Sequence, residues 1–378
     1  MGPLDGIKVI EMRGIGPGPY AGMLLADMGA EVICIDRARK ASGIAPPAQH
    51  QIHSRGKKSV AINLKSADGV ATLLSLIEQS DMLIEGFRPG VMEKLGLSPE
   101  ICHARNPKLI YGRITGWGQT GPLAKTAGHD LNFISLTGAL AAIGPQDKPV
   151  PPLNLVGDYA GGSLFLVMGM LAALHVATLT GKGDVIDAAI TDGSASLMGI
   201  VHTAYSLKGW MPSRESNLLD GGAHFYRCYE TADGKHLSIG SIEPQFYALL
   251  MEKAELDPEV FGQQMNPAQW ADKGEMLSKV IKQKTREQWD EIFAGTDACV
   301  APVLDFTEAP MHEHNKARAT YIRLNGVAQP APAPRFANHV AEQPKMSGSE
   351  GSDTKSVLSE FGFDEAELEA LEQSGALP

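Results

Sequence analysis

Two short segments carry side chains suited to proton transfer. Residues 128–133 read GHDLNF, and residues 151–158 read PPLNLVGD. His129 in the first segment and Asp158 in the second stand near glycine, at expected boundaries between elements. Positioned His and Asp side chains are general acids and bases, and His titrates close to neutral pH. The two segments are therefore the first candidates for a catalytic site.

A structural role accounts for the same residues. Asp158 directly precedes a stretch with helical composition, so it is expected to be that helix's N-cap. Gly161 and Gly162 would let a ligand or another backbone approach closely. The functional interpretation uses the same geometry, because a helix start aims N–H groups and a carboxylate at one point. The residues alone leave both interpretations open.

A glycine-rich turn after the first strand suggests a dinucleotide site. Residues 14–19 read GIGPGP, and Asp36 ends the second strand about where a dinucleotide enzyme has its ribose-binding acid. No GxGxxG pattern fits, and two prolines lack the N–H groups that would hold pyrophosphate, so we reject this interpretation. A tight turn with proline at the helix start explains the glycines. Arg37 follows directly and can offer its guanidinium to a phosphate.

The elements around these segments alternate between strand and helix. Strand, helix and strand in that order imply right-handed parallel crossovers. The fold class is therefore α/β, a Rossmann-like large domain with a parallel sheet. We expect strands at 7–12, 31–35, 82–85 and 109–114, and helices at 19–29, 67–79, 91–95 and 158–178.

A second, smaller α+β domain is expected after the large one, joined to it by long linkers. Strands at 225–231 and 236–240 flank the turn residues Asp233 and Gly234. Residues 328–334 are rich in Pro and Ala, which indicates a second linker, and the acidic stretch 360–373 predicts a terminal helix. The predicted domains are a large domain at 1–200, a linker at 201–224, a small domain at 225–320, and a return linker with a C-terminal helix on the large domain at 321–378.

Composition limits the partners. With 33 basic and 44 acidic residues the net charge is -11, which argues against nucleic acid and requires a local basic pocket for any anionic ligand. The four cysteines are far apart and lack metal-ligand spacing, so a metal site is not expected and a reducing compartment is. The start shows no secretory pattern, and the end, Ala-Leu-Pro, is not a peroxisomal tripeptide. We expect a cytoplasmic protein without a membrane-spanning stretch.

The chain resembles the α-methylacyl-CoA racemase branch of the class III CoA-transferase (CaiB/BaiF) family over nearly its whole length. The last forty residues match this pattern less well. The blocks that carry the resemblance include LDGIKVIEMRGIGPGPYAGMLLADMGAEVICIDR, RGKKSVAINLK, EGFRPGVMEKLGLSPE, AGHDLNFISLTG, PPLNLVGDYAGG, GKGDVIDAAITDG, LLDGGAHFY, IEPQFY and GTDACVAPVL.

The resemblance implies roles for individual residues. His129 and Asp158 match the two catalytic acid/base residues, and Glu243 matches an active-site carboxylate. Phe133 departs from the pattern, because relatives often carry Tyr there. The positions that match binding sites for the CoA thioester, with Arg88 as a plausible phosphate contact, are Arg37, Ile62, Asn63, Leu64, Lys65, Arg88, Gly128, Asp130, Leu131, Asn132 and Phe133.

The implied reaction interconverts (R)- and (S)-2-methylacyl-CoA thioesters through an enolate. His129 and Asp158 would flank the planar intermediate, one removing and the other returning the proton. Glu243 could orient His129, and N–H groups at Asp158 could hold the enolate oxygen. No cofactor is expected, since CoA is part of the substrate. The resemblance further implies an interlocked homodimer in which Glu243 comes from the partner subunit.

Two other functions compete with this one. A class III CoA-transferase would use Asp158 as a nucleophile and form an acyl anhydride. Such an enzyme needs no second proton donor, so His129 favours the racemase. A CoA-thioester binding protein without chemistry would not need His129 and Asp158 together.

Overall fold

The computed structural model describes residues 1–38 and 51–378, and within them the chain forms two compact units. Unit 1 contains Met1–Thr137, Leu153–Leu197 and Ala319–Pro378, and unit 2 contains Gly138–Pro152 and Met198–Arg318. Residues 138–152 thus belong to unit 2, whereas the domain prediction counts them in the large domain. Hydrogen bonds from Arg214 hold this segment in unit 2. Its guanidinium donates to the carbonyls of Ala141, Pro145 and Gln146 at 2.9–3.2 Å.

Six strands of the described chain form a parallel sheet in unit 1, in the order β3-β2-β1-β4-β5-β6. The order changes direction between β1 and β4. The predicted α/β fold with a parallel sheet is confirmed. The strands are β1 (Lys8–Met12), β2 (Glu31–Arg37), β3 (Lys57–Ile62), β4 (Met82–Glu85), β5 (Ile110–Thr115), β6 (Asp184–Ala189), β7 (Tyr226–Glu230), β8 (His236–Gly240), β9 (Val300–Val303), β10 (Tyr321–Leu324) and β11 (Val327–Pro330).

Helices connect and cover these strands. A π-helix, Leu155–Leu164, leads directly into α7, and short 3-10 turns lie at Ile52–Ser54, Pro267–Gln269 and Ala309–Met311. The α-helices are α1 (Pro17–Asp27), α2 (Ala67–Glu78), α3 (Val91–Lys94), α4 (Pro99–Arg105), α5 (Asp130–Ser135), α6 (Ala139–Ala142), α7 (Phe165–Thr180), α8 (Ile190–Leu197), α9 (Gly199–Ser206), α10 (Pro244–Lys253), α11 (Pro258–Phe261), α12 (Trp270–Ile281), α13 (Arg286–Phe293), α14 (Glu313–Ala317), α15 (Thr354–Glu360) and α16 (Glu365–Gln373).

Unit 1 has a hydrophobic core on each face of its sheet. Successive strand residues point to opposite faces, so Ile10 and Ile33 pack with α2, α15 and α16, whereas Val9 and Val32 pack with α1 and α7. Burial on both faces is the reason that these strands are apolar throughout rather than alternating. In unit 2, β7–β9 form an antiparallel sheet, and the core there includes Phe225, Leu277 and Trp289.

A buried ion pair links three elements of unit 1. The Lys57 ammonium at the start of β3 donates to Glu11 Oε2 in β1 at 2.5 Å and to the Pro19 carbonyl of α1 at 2.8 Å. Both charged side chains are almost completely buried, 1% and 0% exposed. A β-carbon at Gly22 would collide with the same Glu11 oxygen. Sequence analysis missed β3, because a strand that opens with Lys, Lys and Ser lacks an apolar pattern.

The outer edge of β3 is covered by residues from the end of the chain. The Ser59 N–H donates to Asp353 Oδ2 at 2.8 Å, and the Ala61 N–H donates to Thr354 Oγ1 at 3.0 Å. The Asn63 N–H donates to the Ala376 carbonyl at 2.8 Å. These bonds satisfy donors that an edge strand otherwise leaves open to another strand.

The end of the chain differs from the prediction in two places. Residues 328–334, predicted as a linker, include β11, which pairs antiparallel with β10. The helix predicted at 360–373 is found as α16, which begins five residues later, and the preceding helix α15 is not predicted. The chain breaks between them at Gly362, whose φ of 99° favours glycine, and Asp364 caps α16 by accepting the Glu367 N–H at 2.8 Å.

The prediction that the chain lacks a membrane-spanning stretch stays a prediction. By length and composition alone, the continuous helix Leu155–Thr180 is long and apolar enough to cross a membrane. One side of α7 packs against β5 and β6, so part of this apolar character belongs to the core. A core helix of a soluble protein passes the same test of length and hydropathy.

The buried pair predicts a large loss of stability from Lys57→Met. Removing the ammonium leaves the Glu11 carboxylate buried without its cation, which costs about 3–5 kcal/mol. Lys58→Met is the matched control, because Lys58 pairs with Glu31 and Glu360 at the surface, where a pair contributes about 1 kcal/mol or less. Urea unfolding would measure both, and equal losses would contradict the assignment.

Candidate active site

Asp158 lies inside the π-helix and not at a helix start. The residue before this helix is Asn154, so the expectation that Asp158 is an N-cap is wrong. Its carboxyl oxygen Oδ2 faces Gly16, where a β-carbon would lie 3.2 Å away. Gly16 is the N-cap residue of α1, in the turn that follows the carboxyl end of β1. The candidate acid therefore stands beside the point where the strand order reverses, the usual ligand site of an open α/β sheet.

Glycines of the π-helix allow close packing, as the sequence predicts for Gly161. A β-carbon there would lie 2.7 Å from the Ser194 nitrogen of α8, and a β-carbon at Gly193 would collide with the Gly161 carbonyl. At Gly157 a β-carbon would collide with Asp130 Oδ1. The glycines thus allow the π-helix to pack closely against α5 and α8.

Asp130 holds the backbone of this helix. Its Oδ1 accepts the Asp158 N–H at 2.6 Å, and the carboxylate also accepts the Gly157 N–H. The Asp130 side chain is buried, and Oδ2 has no hydrogen-bond partner among residues 1–38 and 51–378. Since Asp130 already accepts the Asp158 N–H, this group is not free to hold an enolate oxygen, and that expectation is withdrawn.

Burial and a neighbouring charge act on the Asp158 carboxyl. Burial is the largest cause and raises its pKa, and the nearby Asp130 charge raises it further, to about 6. A hydrogen bond from Asn154 and the charge of His129 act in the opposite direction. Burial raises the pKa of Asp130 as well. With a pKa of about 6, Asp158 has accessible protonated and ionised forms near neutral pH, as a general acid or base requires.

His129 directly precedes α5, and its side chain is exposed. Its backbone N–H donates to Asn132 Oδ1 at 3.1 Å, and its carbonyl accepts the Asn132 N–H at 2.8 Å. The next residue, Asp130, holds the Asp158 N–H, so the structure brings the two candidate acid/base segments together. The Asn132 amide supports the turn that carries His129.

Phe133 packs inside the protein rather than on an open surface. Its ring is 7% exposed and meets Trp117 edge to face, with centroids 4.9 Å apart. A β-carbon at Gly116 would collide with this ring, and one at Gly128 would lie 2.6 Å from it. Gly116 and Trp117 therefore fix the His129 turn, and sequence analysis missed both. The signal available for them was the Gly-Trp-Gly run directly after β5.

The predicted phosphate contacts lie along the carboxyl edge of the sheet. Arg37 ends β2, Arg88 follows β4 and Lys65 follows β3, and all three side chains are exposed. Among the residues that the structure describes, none forms a hydrogen bond or ion pair with these three cationic groups. These three groups are therefore cations available to an anionic ligand at this end of the sheet.

Other predicted binding residues have structural contacts in unit 1. Ile62 is 1% exposed in the core, and Leu64 packs against the same cluster. The Asn63 side-chain amide donates to the Gly375 carbonyl at 2.9 Å. Leu131 is exposed on α5. Contacts of these residues with CoA stay predictions.

Asp36 is already hydrogen-bonded to side chains of the protein, which supports the rejection of a dinucleotide site. Its two oxygens accept from Arg13 at 2.6 and 3.0 Å, and Oδ2 also accepts the Ser59 hydroxyl at 2.5 Å. The side chain is buried, so these groups compete with a ribose for it.

In unit 2, Glu243 is exposed at the N-cap position of α10. Its pairing with His129 stays a prediction.

Comparison with known proteins defines the class. The chain matches CoA-transferase family III over residues 4–351. It is 42% identical to the α-methylacyl-CoA racemase of Mus musculus over 97% of this chain and 95% of the relative, and 42% identical to that of Homo sapiens over 97% and 96%. The crystal structure of a CaiB/BaiF family protein from Brucella suis superposes with a TM-score of 0.79 at 25% identity, covering 95% of this chain and 99% of that one. This protein belongs to CoA-transferase family III, which confirms the resemblance.

The raised pKa of Asp158 predicts that Asp158→Asn stabilises the protein at high pH. The native state holds this proton more tightly than an ordinary Asp, with a pKa near 6 against 3.8, so wild-type stability falls as the pH rises through 6. After allowance for partial solvent exposure, the variant should gain about 1–2 kcal/mol at pH 8 and nothing below pH 4. Urea unfolding across this pH range measures the difference. Exposed Asp68→Asn is the control, and a gain that does not depend on pH would refute the prediction.

Proposed function

We propose that this protein is an α-methylacyl-CoA racemase, an isomerase that inverts the 2-methyl centre of acyl-CoA thioesters without a cofactor. The observation that carries the proposal is the Asp158 carboxyl, partly buried with a pKa near 6 and held next to the His129 turn by Asp130. The racemases of mouse and human at 42% identity support it.

The chemistry needs two proton-transfer groups on opposite faces of one carbon. An α-hydrogen of a thioester is a weak acid, so a base must lie close to it, and inversion requires a donor on the other face. His129 and Asp158 come from separate segments and can fill these roles. The carboxyl of Asp158 alternates between acid and base. Donors other than the Asp158 N–H must stabilise the enolate oxygen, because that N–H is bound to Asp130.

Arg37, Arg88 and Lys65 are proposed to bind the phosphates of CoA. All three stand at or after the carboxyl ends of strands, the edge at which Asp158 also lies. In a chain with a net charge of -11, cations that pair with none of the described residues supply the local attraction that a polyanionic ligand requires. A bidentate arginine contact fits a phosphate better than a lysine does.

The competing function is transfer of CoA between carboxylic acids. Asp158 would then attack the thioester and form an acyl anhydride. Proton NMR of 2-methylacyl-CoA in D2O, with and without an acceptor carboxylate, separates the two. A racemase exchanges the α-proton without any acceptor, whereas a transferase leaves the α-proton in place and forms a new CoA thioester only when an acceptor is present.

Single-base variants test the two-base mechanism. By the family pattern His129 takes the proton of the S thioester and Asp158 that of the R thioester. His129→Ala should therefore reduce exchange of the S ester in D2O more than exchange of the R ester, and Asp158→Ala should do the opposite. Both should lose inversion, by about 10² to 10⁴-fold, because one base cannot protonate the far face. Inversion near the wild-type rate in either variant would sink the mechanism, as would a labelled acyl anhydride accumulating on the wild-type chain.

We further propose that the active protein is a homodimer in which Glu243 of one subunit completes the site of the other. An apolar stripe runs from the last residue of the π-helix along α7, where Leu164, Met168, Val176 and Leu179 are 49–72% exposed. In unit 2, Ile200, Tyr205, Leu207 and Met211 are 58–76% exposed. Clusters of exposed apolar side chains of this kind are typical of protein interfaces. A second copy of the chain is the proposed partner for them.

Met168→Glu tests the dimer. A carboxylate buried at an interface without a cation should weaken association at least tenfold, so light scattering should detect monomers and activity should fall with dissociation. Met276→Glu on α12, 44% exposed, introduces the same charge elsewhere and should leave the dimer intact. A fully active wild-type monomer would overturn the proposal, as would a monomer that binds phospholipid vesicles through α7.

A further inference from the structure

We propose that Asp130 is a positioning residue for the Asp158 carboxyl: its carboxylate fixes the backbone that carries Asp158 and supplies the negative charge beside it. The inference rests on the proposed function, because it assigns to Asp130 a task in the proton transfer. The sequence pattern places Asp130 among the CoA-binding positions instead. Its contacts in the structure point to the neighbouring acid.

Geometry is the first support. One carboxylate accepts two successive backbone N–H groups, those of Gly157 and Asp158, the second at 2.6 Å. The i→i+5 bond at the start of the π-helix runs from the Tyr159 N–H to the Asn154 carbonyl, so the N–H groups of Gly157 and Asp158 precede the helical ladder and bond to Asp130 instead. Gly157 has no side chain, and a β-carbon there would collide with Asp130 Oδ1. The contact therefore requires both the carboxylate and the glycine.

Charge is the second support. Asp130 is 8% exposed, and in the part of the chain that the structure describes it forms no ion pair. Its Oδ2 also has no hydrogen-bond partner there. The negative charge is therefore not neutralised by a neighbouring cation, and it acts on Asp158 at short range through a poorly solvated region. A like charge disfavours the ionised form of its neighbour, so the Asp158 pKa is raised.

The other groups around Asp158 contribute little negative charge. His129, before α5, acts with the opposite sign, and Asn154 donates a hydrogen bond. The N-cap residue of α1, Gly16, faces Asp158, and the Tyr20 ring of α1 packs on Tyr159. Against the same π-helix, α8 presents Ser194, and α7 carries no Asp, Glu, Lys or Arg. In β6 the Asp187 carboxylate accepts the Gln119 N–H. The Asp192 carboxylate in the first turn of α8 is exposed to solvent, and Asp130 is the acidic group that raises the Asp158 pKa.

Two variants separate position from charge. In Asp130→Asn the amide oxygen can still accept both N–H groups, and only the charge is lost. Carbon-13 NMR of aspartate-labelled protein, with the Asp158 signal assigned by its absence from Asp158→Asn, should show the Asp158 pKa falling by about one unit. It should stay above the ordinary value because burial persists. The acid limb of kcat/KM for inversion should move to lower pH by a similar amount.

In Asp130→Ala both the charge and the acceptor are lost. Inversion should fall at least tenfold at every pH, and Asp130→Asn should restore most of that loss at the optimum. Asp81→Asn is the matched control. Asp81 likewise accepts a backbone N–H, that of Lys8 at 2.9 Å, but it lies at the amino ends of the strands, away from Asp158. It should leave the Asp158 pKa and the profile unchanged.

The outcomes distinguish this inference from the proposed function. An Asp158 pKa that is the same in wild type and Asp130→Asn overturns the role of Asp130, whatever the activity. A pKa that falls in a protein without racemase activity supports the positioning role and rejects the proposed function. If Asp130→Ala does not fold, the titration of Asp130→Asn decides alone.

Discussion

The buried contact between Lys57 and Glu11 is the constraint on which the site in unit 1 depends. It binds β1, β3 and the first turn of α1 through one ammonium group. Because Gly16 is the N-cap residue of α1, this contact also fixes the backbone against which Asp158 rests. A pair of buried charges costs desolvation free energy, and it is retained in proteins where it specifies one arrangement. Here the arrangement is the start of α1 over the centre of the sheet.

Two features of the site disfavour the ionised form of Asp158, and one offsets part of their cost. Asp158 is partly buried and lies close to a second carboxylate, and both features make its ionised form costly. Hydrogen bonds from the backbone to Asp130 offset part of that cost. A carboxyl in ordinary solvent would be almost fully ionised at neutral pH and would be a poor proton donor. The stability lost in placing Asp158 there is what makes it useful as an acid.

How much the sequence predicts depends on the residue pattern of each element. β1, β2, β4 and α2 follow apolar patterns with clear breaks, and their positions are predicted to within two residues. β3 is not predicted, because its buried Lys57 is paired with Glu11, and a local sequence pattern does not reveal such a pair. The π-helix reads as an ordinary helix, so Asp158 is misplaced at its start. His129 and Asp158 are found by residue type, whereas the task of Asp130 depends on a contact across 28 residues of chain.

The covered edge of β3 has a consequence for how the protein is made. Asp353, which accepts the Ser59 N–H, follows it by 294 residues. When β1 to β6 have emerged from the ribosome, the outer strand of the sheet therefore still exposes the N–H groups of Ser59, Ala61 and Asn63. An exposed strand edge pairs readily with another chain, so the interval before residues 353–376 emerge is a period of exposure to aggregation. These residues thus cover a sheet that was synthesised long before them, and a chain truncated before Asp353 would keep the open edge.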